Sequence, residues 1–305
     1  MKNGFPALKQ SFVWAASALL ASSALLAGTL SAQNAGNGPA TDPEQKYWHP
    51  VTQTGPQFTP VKTPFPLMDC HIHLRGGMTT GKAIARQKLI GIESAILENS
   101  GREWPLCNDA ALQAFISFNR LEMEKENVRI PIGMQVNDRD WFTYFSPEVL
   151  EQLDFVLADT MIMNDAKGRP VRLWQSEKFV IDDEEAWMER YFAHTMQVLS
   201  EPITILANPT YLPQQLADRY EHFWTEERMN AVIELAVKKG VALEIQAGSA
   251  FPSEKFIRMA KKAGAKFSVG TNNFGEEEIP MDRWFEMIER CGLEEKDLLR
   301  IPVSR

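Results

Sequence analysis

Short apolar runs alternate with longer amphipathic stretches along the chain from Pro66 onward. The apolar runs have the length of buried strands, and they cover Leu67–Leu74, Ser94–Glu98, Ile130–Val136, Phe155–Met163, Ile203–Asn208, Ala242–Ala247 and Lys266–Asn272. The stretches between them have helical spacing and cover Thr80–Leu89, Asp109–Lys125, Pro147–Leu153, Glu184–Leu199, Glu226–Lys239, Ser253–Ala263 and Met281–Cys291. Strands separated by helices predict right-handed βαβ units around a parallel sheet.

The regular repetition of these units favours an α/β fold that closes into a parallel seven-stranded, TIM-like barrel. An open doubly wound sheet stays as an alternative, although no Gly-rich phosphate-binding turn opens any predicted helix. In a parallel barrel the working side chains lie at the carboxyl ends of the strands. The polar residues that close the apolar runs there are His71, His73, Glu98, Gln135, Asp159, Asn208, Glu244, Gln246 and Asn272.

Strand alternation predicts which of these side chains face the barrel interior. Three sets are expected to share the inner face: Thr204, Leu206 and Asn208; Ala242, Glu244 and Gln246; and Ser268, Gly270 and Asn272. Leu243 and Ile245 are then expected to pack outward against helices. A ring of hydrogen-bonding side chains at one barrel mouth is therefore the predicted site.

The segment Met68-Asp-Cys-His-Ile-His-Leu74 carries the strongest local signal. With a period of two, Asp69, His71 and His73 are expected to project to the same side of the strand. Two imidazoles on one face can converge on a metal ion, and a neighbouring carboxylate can orient one of them. The alternative is a pair of hydrogen-bonded barrel histidines without metal.

Several segments together resemble the polymerase and histidinol phosphatase (PHP) family. Val241-Ala-Leu-Glu-Ile-Gln-Ala-Gly-Ser249 resembles its Leu-Glu-Ile-Asn strand, and the segment ending in Gly270-Thr-Asn-Asn-Phe274 resembles its strand ending in Gly-Ser-Asp-x-His. Ile205-Leu-Ala-Asn-Pro209 is similar to its strand ending in His-Pro, and Gly133-Met-Gln-Val-Asn137 to its Gly-Ile-Glu segment. Ile96-Leu-Glu-Asn-Ser-Gly101 stands in the place of its Thr-Asp-His-Gly. The resemblance runs from about Leu67 to the end of the chain and implies a PHP-like barrel domain.

The resemblance also implies a cluster of up to three metals, but most ligand positions differ here. The pair His71 and His73 is retained. The other positions hold neutral amides or apolar groups at Asn99 or Ser100, Gln135, near Met161, Asn208, Asn272 and Phe274. Amides and Met are poor ligands for zinc, manganese or iron. We therefore expect either one divalent transition metal (Zn or Mn) or none.

Two roles are open for the remaining carboxylates. One of Glu244, Asp159 or Glu98 completes a single-ion site with the two histidines, or Glu244 acts as a general base among neutral amides. In the second case Gln135, Asn208 and Asn272 bind neutral polar groups such as sugar hydroxyls. A structural Glu244, buried and paired with a basic residue, is the alternative to both. Loop aromatics, among them Trp104, Trp141, Trp174 and Trp224, either stack on sugar rings or cap the barrel.

Three functional hypotheses follow from these residues. The first is a PHP-like hydrolase or lyase with a reduced metal site, acting on a small polar or carbohydrate-like substrate at the barrel mouth. The second is a catalytically inactive binding protein for such a molecule. The third is a divergent amidohydrolase, because His71-Ile-His-Leu-Arg75 is similar to the first strand of that family, although no later His pair is found.

The first 65 residues differ from the rest of the chain. Lys2 and Lys9 precede an uncharged stretch of Ala, Leu and Ser that ends near Ala32, which is typical of a secretory signal peptide. An uncleaved membrane anchor is the alternative. Residues 1–32 are thus the predicted signal peptide, 33–65 a flexible linker or arm, and 66–305 the barrel domain. The mature protein is expected to be periplasmic or extracellular, without stable membrane association.

The overall charge restricts the class of partner. The 305 residues carry a net charge of -8 and contain no basic run. Nucleic-acid binding needs clustered Lys and Arg against phosphates, so no nucleic acid is expected as a partner.

Overall fold

The computed structural model describes residues 62–273, 275 and 279–303. Within them the strands are β1 (Met68–His73), β2 (Glu93–Ser100), β3 (Ile132–Val136), β4 (Phe155–Asp159), β5 (Ile162–Asn164), β6 (Pro170–Arg172), β7 (Ile205–Ala207), β8 (Ala242–Gln246) and β9 (Phe267–Gly270). The helices are α1 (Thr80–Ile90), α2 (Asp109–Glu126), α3 (Pro147–Leu150), α4 (Glu184–Ser200), α5 (Gln214–Ala217), α6 (Tyr220–Phe223), α7 (Glu226–Lys239), α8 (Glu254–Lys262) and α9 (Asp282–Cys291).

Seven parallel strands close into a barrel in the order β1-β2-β3-β4-β7-β8-β9. The closing pair joins β9 to β1, where Val269 lies opposite Asp69. The predicted seven-stranded α/β barrel is therefore confirmed, and the open doubly wound sheet is excluded. Each barrel strand is followed by a helix or a helix-containing connection, so the carboxyl ends of all seven strands meet at one mouth.

Several of the longer helices begin after a residue whose side chain caps them. Asn108 accepts a hydrogen bond from the backbone N–H of Ala111 at the start of α2, and Asp183, Thr225 and Ser253 do the same for α4, α7 and α8. Such caps satisfy backbone donors that have no partner inside the helix. The predicted starts of these four helices agree with the structure to within one residue.

Two separate apolar layers distinguish the inner from the outer face of the barrel. Strand residues such as Ile72, Ile96 and Leu243 pack with the helices, and Ile245 faces the same way, as alternation predicts. The interior layer contains no helix residue and consists of Cys70, Ala95, Leu97, Phe155, Leu157, Ile205, Ala207, Ala242 and Ile301. The barrel is thus filled below its mouth by side chains.

The predicted inward set on the fifth apolar run, Ile203–Asn208, is wrong for two residues. Ile205 and Ala207 face the interior, whereas Leu206 packs in the outer layer, and Thr204 accepts a hydrogen bond from the backbone N–H of Val156. Asn208 nevertheless contacts interior groups, because it follows the strand with a φ of 49°. This left-handed conformation reverses the direction that simple alternation gives.

Close packing and a C-terminal segment close the amino end of the barrel. A Cβ at Gly133 would lie 2.5 Å from the ring of Phe155, so the aromatic ring occupies the space that the glycine leaves. Leu299 donates from its backbone N–H to the carbonyl of Phe267, and Ile301 inserts into the interior layer. The opposite, carboxyl end is where the polar side chains gather.

The predicted strand Phe155–Met163 is two strands in the structure. The barrel strand β4 ends at Asp159, whose Oδ1 accepts a hydrogen bond from the N–H of Met161, and the chain then enters the antiparallel hairpin β5–β6. The hairpin belongs to the connection between β4 and α4.

The predicted signal peptide and nearly all of the predicted linker lie outside the described residues. None of the described helices has the length and apolar character needed to cross a membrane.

Candidate active site at the barrel mouth

A buried histidine–glutamate pair occupies the centre of the barrel mouth. The Nδ1 atom of His71 on β1 lies 2.6 Å from Oε1 of Glu244 on β8. Both side chains are at most 1% exposed. The other carboxylate oxygen of Glu244 accepts a hydrogen bond from the backbone N–H of Asn208. The orientation of the His71 ring is therefore fixed from one side by a carboxylate that is itself held in place.

Contact between the side chains of His71 and Glu244 requires glycine at position 270 in β9, the strand that lies between β8 and β1. A Cβ at that position would lie 2.2 Å from Oε1 of Glu244 and 2.6 Å from Cβ of His71. Such distances are far below van der Waals contact, so any side chain there would push the pair apart.

The second ring nitrogen of His71 faces neutral partners. Its Nε2 lies 2.9 Å from Oε1 of Gln135 on β3 and 3.2 Å from Nε2 of His73. A chain of amides continues from there, because Gln135 donates to Asn137 and Asn137 donates to Asn99. Nδ2 of Asn99 lies 3.4 Å from Nδ1 of His73, which closes the ring of contacts.

The electrostatic environment shifts the pKa values of His71 and His73 in opposite directions. Burial lowers the pKa of His71, but the carboxylates of Glu244 and Asp159 and the oxygen of Gln135 outweigh it, so the pKa is raised. Burial and the neighbouring charge of His71 hold the pKa of His73 well below its usual range. The two shifts favour a proton on His71 over a proton on His73.

A second carboxylate of the mouth, Asp159, is held by Asn208. Nδ2 of Asn208 donates to Oδ2 of Asp159 over 3.1 Å. Burial raises the pKa of Asp159 to about 6. Asp159 therefore adds a carboxylate that titrates close to neutral pH on the far side of Asn208 from Glu244.

The expected role of Asp69 beside the two histidines is wrong. The pairing of β1 with β2 shifts register between Asp69 and Ile72, and this bulge turns Asp69 away from the interior. Its carboxylate accepts hydrogen bonds from Arg86 on α1 and from the backbone and hydroxyl of Thr271. Asp69 also accepts from the N–H of His71, so it holds the backbone and not the imidazole.

Asn272 and Glu98, also predicted as site residues, lie at the rim beside Arg75. Oδ1 of Asn272 accepts from Nη2 of Arg75 over 3.4 Å. Oε1 of Glu98 accepts from the backbone N–H of Asn99, and burial raises the pKa of Glu98. Glu98 follows the outward face of β2, because Leu97 and Asn99 face inward. The structure therefore brings His71, His73, Gln135, Asn208 and Glu244 into one network. Asn272 joins it through a side-chain hydrogen bond with His73, whereas Glu98 lies outside it.

Asn137 and Asn273 were not predicted as site residues. Asn273 accepts from the N–H of His73 and donates to its carbonyl, so it extends the pairing of β1 by a side chain. Asn137 lies two residues after Gln135, on the same inward face, and this spacing could have revealed it. The predicted position Phe274 lies outside the described residues.

Several buried polar atoms of the mouth lack a hydrogen-bond partner among the described residues. They are Oδ1 of Asn208, both amide atoms of Gln246 and the hydroxyl of Ser268. Buried polar groups are normally paired, so these atoms are available to a bound polar molecule or to water. They add donors and acceptors on the β7–β8–β9 side of the mouth.

The donors of the mouth do not fit a three-metal cluster. Among the described residues, no three His, Cys, Asp or Glu side chains converge as a metal site. The ring nitrogens of His71 and His73 that approach each other have only the amide oxygen of Gln135 beside them. Two imidazoles and a neutral amide fall short of the three or four strong ligands of a zinc site.

Two of the four loop tryptophans are unavailable for stacking. Trp224 is fully buried, and Trp141 is buried and donates from Nε1 to Oε2 of Glu201. Trp104 and Trp174 are half-buried, and both rings contact the guanidinium of Arg172. Only this second pair can offer an aromatic surface to a ligand.

Comparison with protein-family models finds no match to this chain, and comparison with curated proteins finds none either.

Proposed function

We propose that this chain is an exported, PHP-like barrel protein that binds a small polar, carbohydrate-like molecule at its mouth and acts on it as a hydrolase or a lyase. His71 is the group that transfers the proton, and Glu244 orients it. The observation that supports this proposal best is the fully buried His71–Glu244 pair, 2.6 Å apart, at the carboxyl ends of the strands.

The pair has the arrangement that general acid–base catalysis requires. Glu244 accepts the Nδ1 proton of His71, which leaves Nε2 as the atom that exchanges protons with a substrate. The raised pKa of His71 favours the imidazolium form, in which Nε2 carries a proton that it can donate to a leaving-group oxygen. The ring is then neutral, and the same nitrogen can take a proton from water in a hydrolysis or from carbon in an elimination.

The amides around the pair support a substrate that presents uncharged polar groups to His71. Gln135, Asn137 and Asn99 present carboxamides next to Nε2 of His71, and the amide of Gln246 has no partner among the described residues. Carboxamides donate and accept hydrogen bonds, as hydroxyl groups do, and they carry no charge. A molecule with several hydroxyl groups matches these side chains.

The proposed chemistry uses no metal. We expect at most one divalent transition metal per chain, because only His71 and His73 are strong ligands in the network. Elemental analysis of the purified mature protein measures this directly. Two or more zinc or manganese ions per chain would contradict it.

A binding protein without turnover is the second candidate. It is favoured by the neutral amides that stand where the PHP family carries charged ligands, because they retain a pocket while removing the metal chemistry. The two candidates differ in whether His71 changes its protonation state during the encounter with the ligand.

The test is a turnover screen with matched histidine–glutamate variants. A panel of methyl hexosides, hexuronosides and polyols is incubated with the protein, and new products are followed by proton NMR. We expect His71→Asn and Glu244→Gln each to lower turnover by about 100-fold or more. His222→Asn and Glu185→Gln are the controls, since this second pair has the same 2.6 Å separation but lies exposed on the surface.

The outcomes separate the candidates. Turnover that is lost only in the buried-pair variants supports the enzyme. Binding of panel members by a folded wild-type protein without any product supports the binding protein. Neither binding nor turnover across the panel would contradict the proposed substrate class.

A further inference from the structure

An exposed arginine in the connection after β4 contacts two tryptophan rings. The Cζ atom of Arg172, at the end of β6, is 5.5 Å from the ring centroid of Trp104 and 5.8 Å from that of Trp174. Guanidinium groups at these distances interact favourably with indole rings. The three side chains are called the Trp–Arg–Trp cluster below.

The cluster bridges the end of β3. Trp104 follows β2 and packs on Gly101, where a Cβ would lie 2.6 Å from Cδ1 of the indole. The β5–β6 hairpin that carries Arg172 follows β4, and the next residue, Leu173, donates to the carbonyl of Met161. Since β2 and β4 flank β3, the contact between the two loops spans the strand that carries Gln135.

The guanidinium of Arg172 has no hydrogen-bond or ion-pair partner within the described residues. Neighbouring arginines differ, because Arg102 contacts Asp140 and Tyr144, and Arg169 pairs with Asp165 across the hairpin turn. Arg172 carries five N–H donors in a planar fork, and a carboxylate is the planar acceptor that matches this fork with two parallel hydrogen bonds. Stacking on indole rings restricts the orientation of the fork without using any donor.

We propose that the Trp–Arg–Trp cluster is a subsite for the carboxylate of a sugar acid, so that the molecule bound at the mouth is a hexuronoside. This proposal rests on the proposed function, which places the reacting part of the molecule beside His71. Arg172 accounts for the carboxylate of the same molecule. The indole rings contact the apolar face of the sugar, and the amides near His71 bind its hydroxyl groups. The net charge of -8 makes nonspecific attraction of anions an implausible source of such binding.

The experiment compares ligands that differ only in the carboxylate. Binding of the methyl glycosides of glucuronate, galacturonate and mannuronate to the protein is measured by calorimetry, each against its neutral hexoside. We expect at least one uronoside to bind about 10- to 100-fold more tightly than its neutral partner, as charge-assisted bidentate hydrogen bonds provide. Arg172→Gln should remove this preference, and Arg172→Lys should restore it only partly, because Lys lacks the planar fork.

Arg169→Gln is the matched control, since Arg169 is another exposed arginine of the same hairpin and is paired. It should keep the uronoside preference. Equal binding of acid and neutral partner in all three pairs overturns the proposal, and so does a preference that survives in Arg172→Gln.

The result is independent of catalysis. His71→Asn and Glu244→Gln should retain the preference for the acid even where turnover is lost. If the wild-type protein prefers the acid but turns over no ligand, the enzymatic proposal is overturned and the carboxylate subsite is supported. If it turns over only neutral hexosides, the enzymatic proposal is supported and the subsite is overturned.

Discussion

At the scale of single residues, Gly270 sets the geometry of the mouth. We expect Gly270→Ala to lower the free energy of unfolding by about 1–3 kcal/mol, because the methyl group would overlap Glu244 and His71. Urea denaturation measures the change. Gly81→Ala is the control, since only one atom lies within 4 Å of its Cβ and alanine favours the helix; equal losses in both variants would contradict the steric explanation.

The buried ring of His194 predicts a dependence of stability on pH. Burial and then the charge of Arg139 lower the pKa of His194 from 6.5 to about 3. The folded protein binds this proton less readily than the unfolded chain, so the contribution of His194 to stability is present above pH 6.5 and is lost towards pH 3.

We therefore expect His194→Gln to change how the free energy of unfolding depends on pH, and not only its value at one pH. Relative to the variant, the wild-type protein should lose about 2 kcal/mol of unfolding free energy between pH 6.5 and about pH 4.5. Denaturation at several pH values measures this difference, with the exposed His222→Gln as control. Parallel profiles for the wild-type protein and His194→Gln would show that this ring is not the cause.

The sequence could predict several site residues with the direction of their side chains, but not all of them. His71, Gln135 and Glu244 end apolar runs and face inward by alternation, so they were predictable together. Asn208 has a left-handed backbone, and Asp69 precedes a bulge. Both features depend on contacts with distant strands, so alternation alone misassigned Asp69 and the residues Thr204 and Leu206 that precede Asn208.

At the scale of elements, Asp69 joins β1 to α1 and to the residue that follows β9. Its carboxylate is fully buried and is the ion-pair partner of Arg86, which is 7% exposed. We expect Asp69→Ala to lower the free energy of unfolding by about 3–5 kcal/mol, because it leaves a buried guanidinium without its counter-ion.

The measurement is chemical denaturation beside a surface control. Glu126→Ala removes the exposed pair with Lys88 and should change stability by less than about 1 kcal/mol. A loss in Asp69→Ala no larger than in Glu126→Ala would contradict the structural role of Asp69.

The seven barrel strands were predictable because each is a short apolar run bounded by polar residues. The β5–β6 hairpin was not, because Met161, Ile162 and Met163 continue the apolar run of β4 without a break in composition. The chain turns there, where the N–H of Met161 donates a hydrogen bond to Asp159. This turn changes the direction of the backbone without changing the hydrophobicity of the sequence. The short helices α5 and α6 were missed because four residues are too few to show a helical period.

At the scale of the whole molecule, the proposed export predicts a shortened mature chain. Lys2 and Lys9 precede the uncharged stretch that ends near Ala32. We expect intact-mass measurement of protein from the cell envelope or medium to show the loss of about 25–35 residues, as is typical of signal peptides. A full-length chain found only in the cytoplasm would contradict export.

Closure of the barrel brings together parts of the chain that are far apart in sequence. Thr271 and Asp69 are 202 positions apart, and Glu244 and His71 are 173 positions apart. Contacts of such sequence separation form late in folding, because a long loop must close first. Any folding intermediate without strand β8 therefore contains His71 without its carboxylate. The chemistry of the mouth is thereby coupled to the completion of the fold, so a partly folded chain is inert.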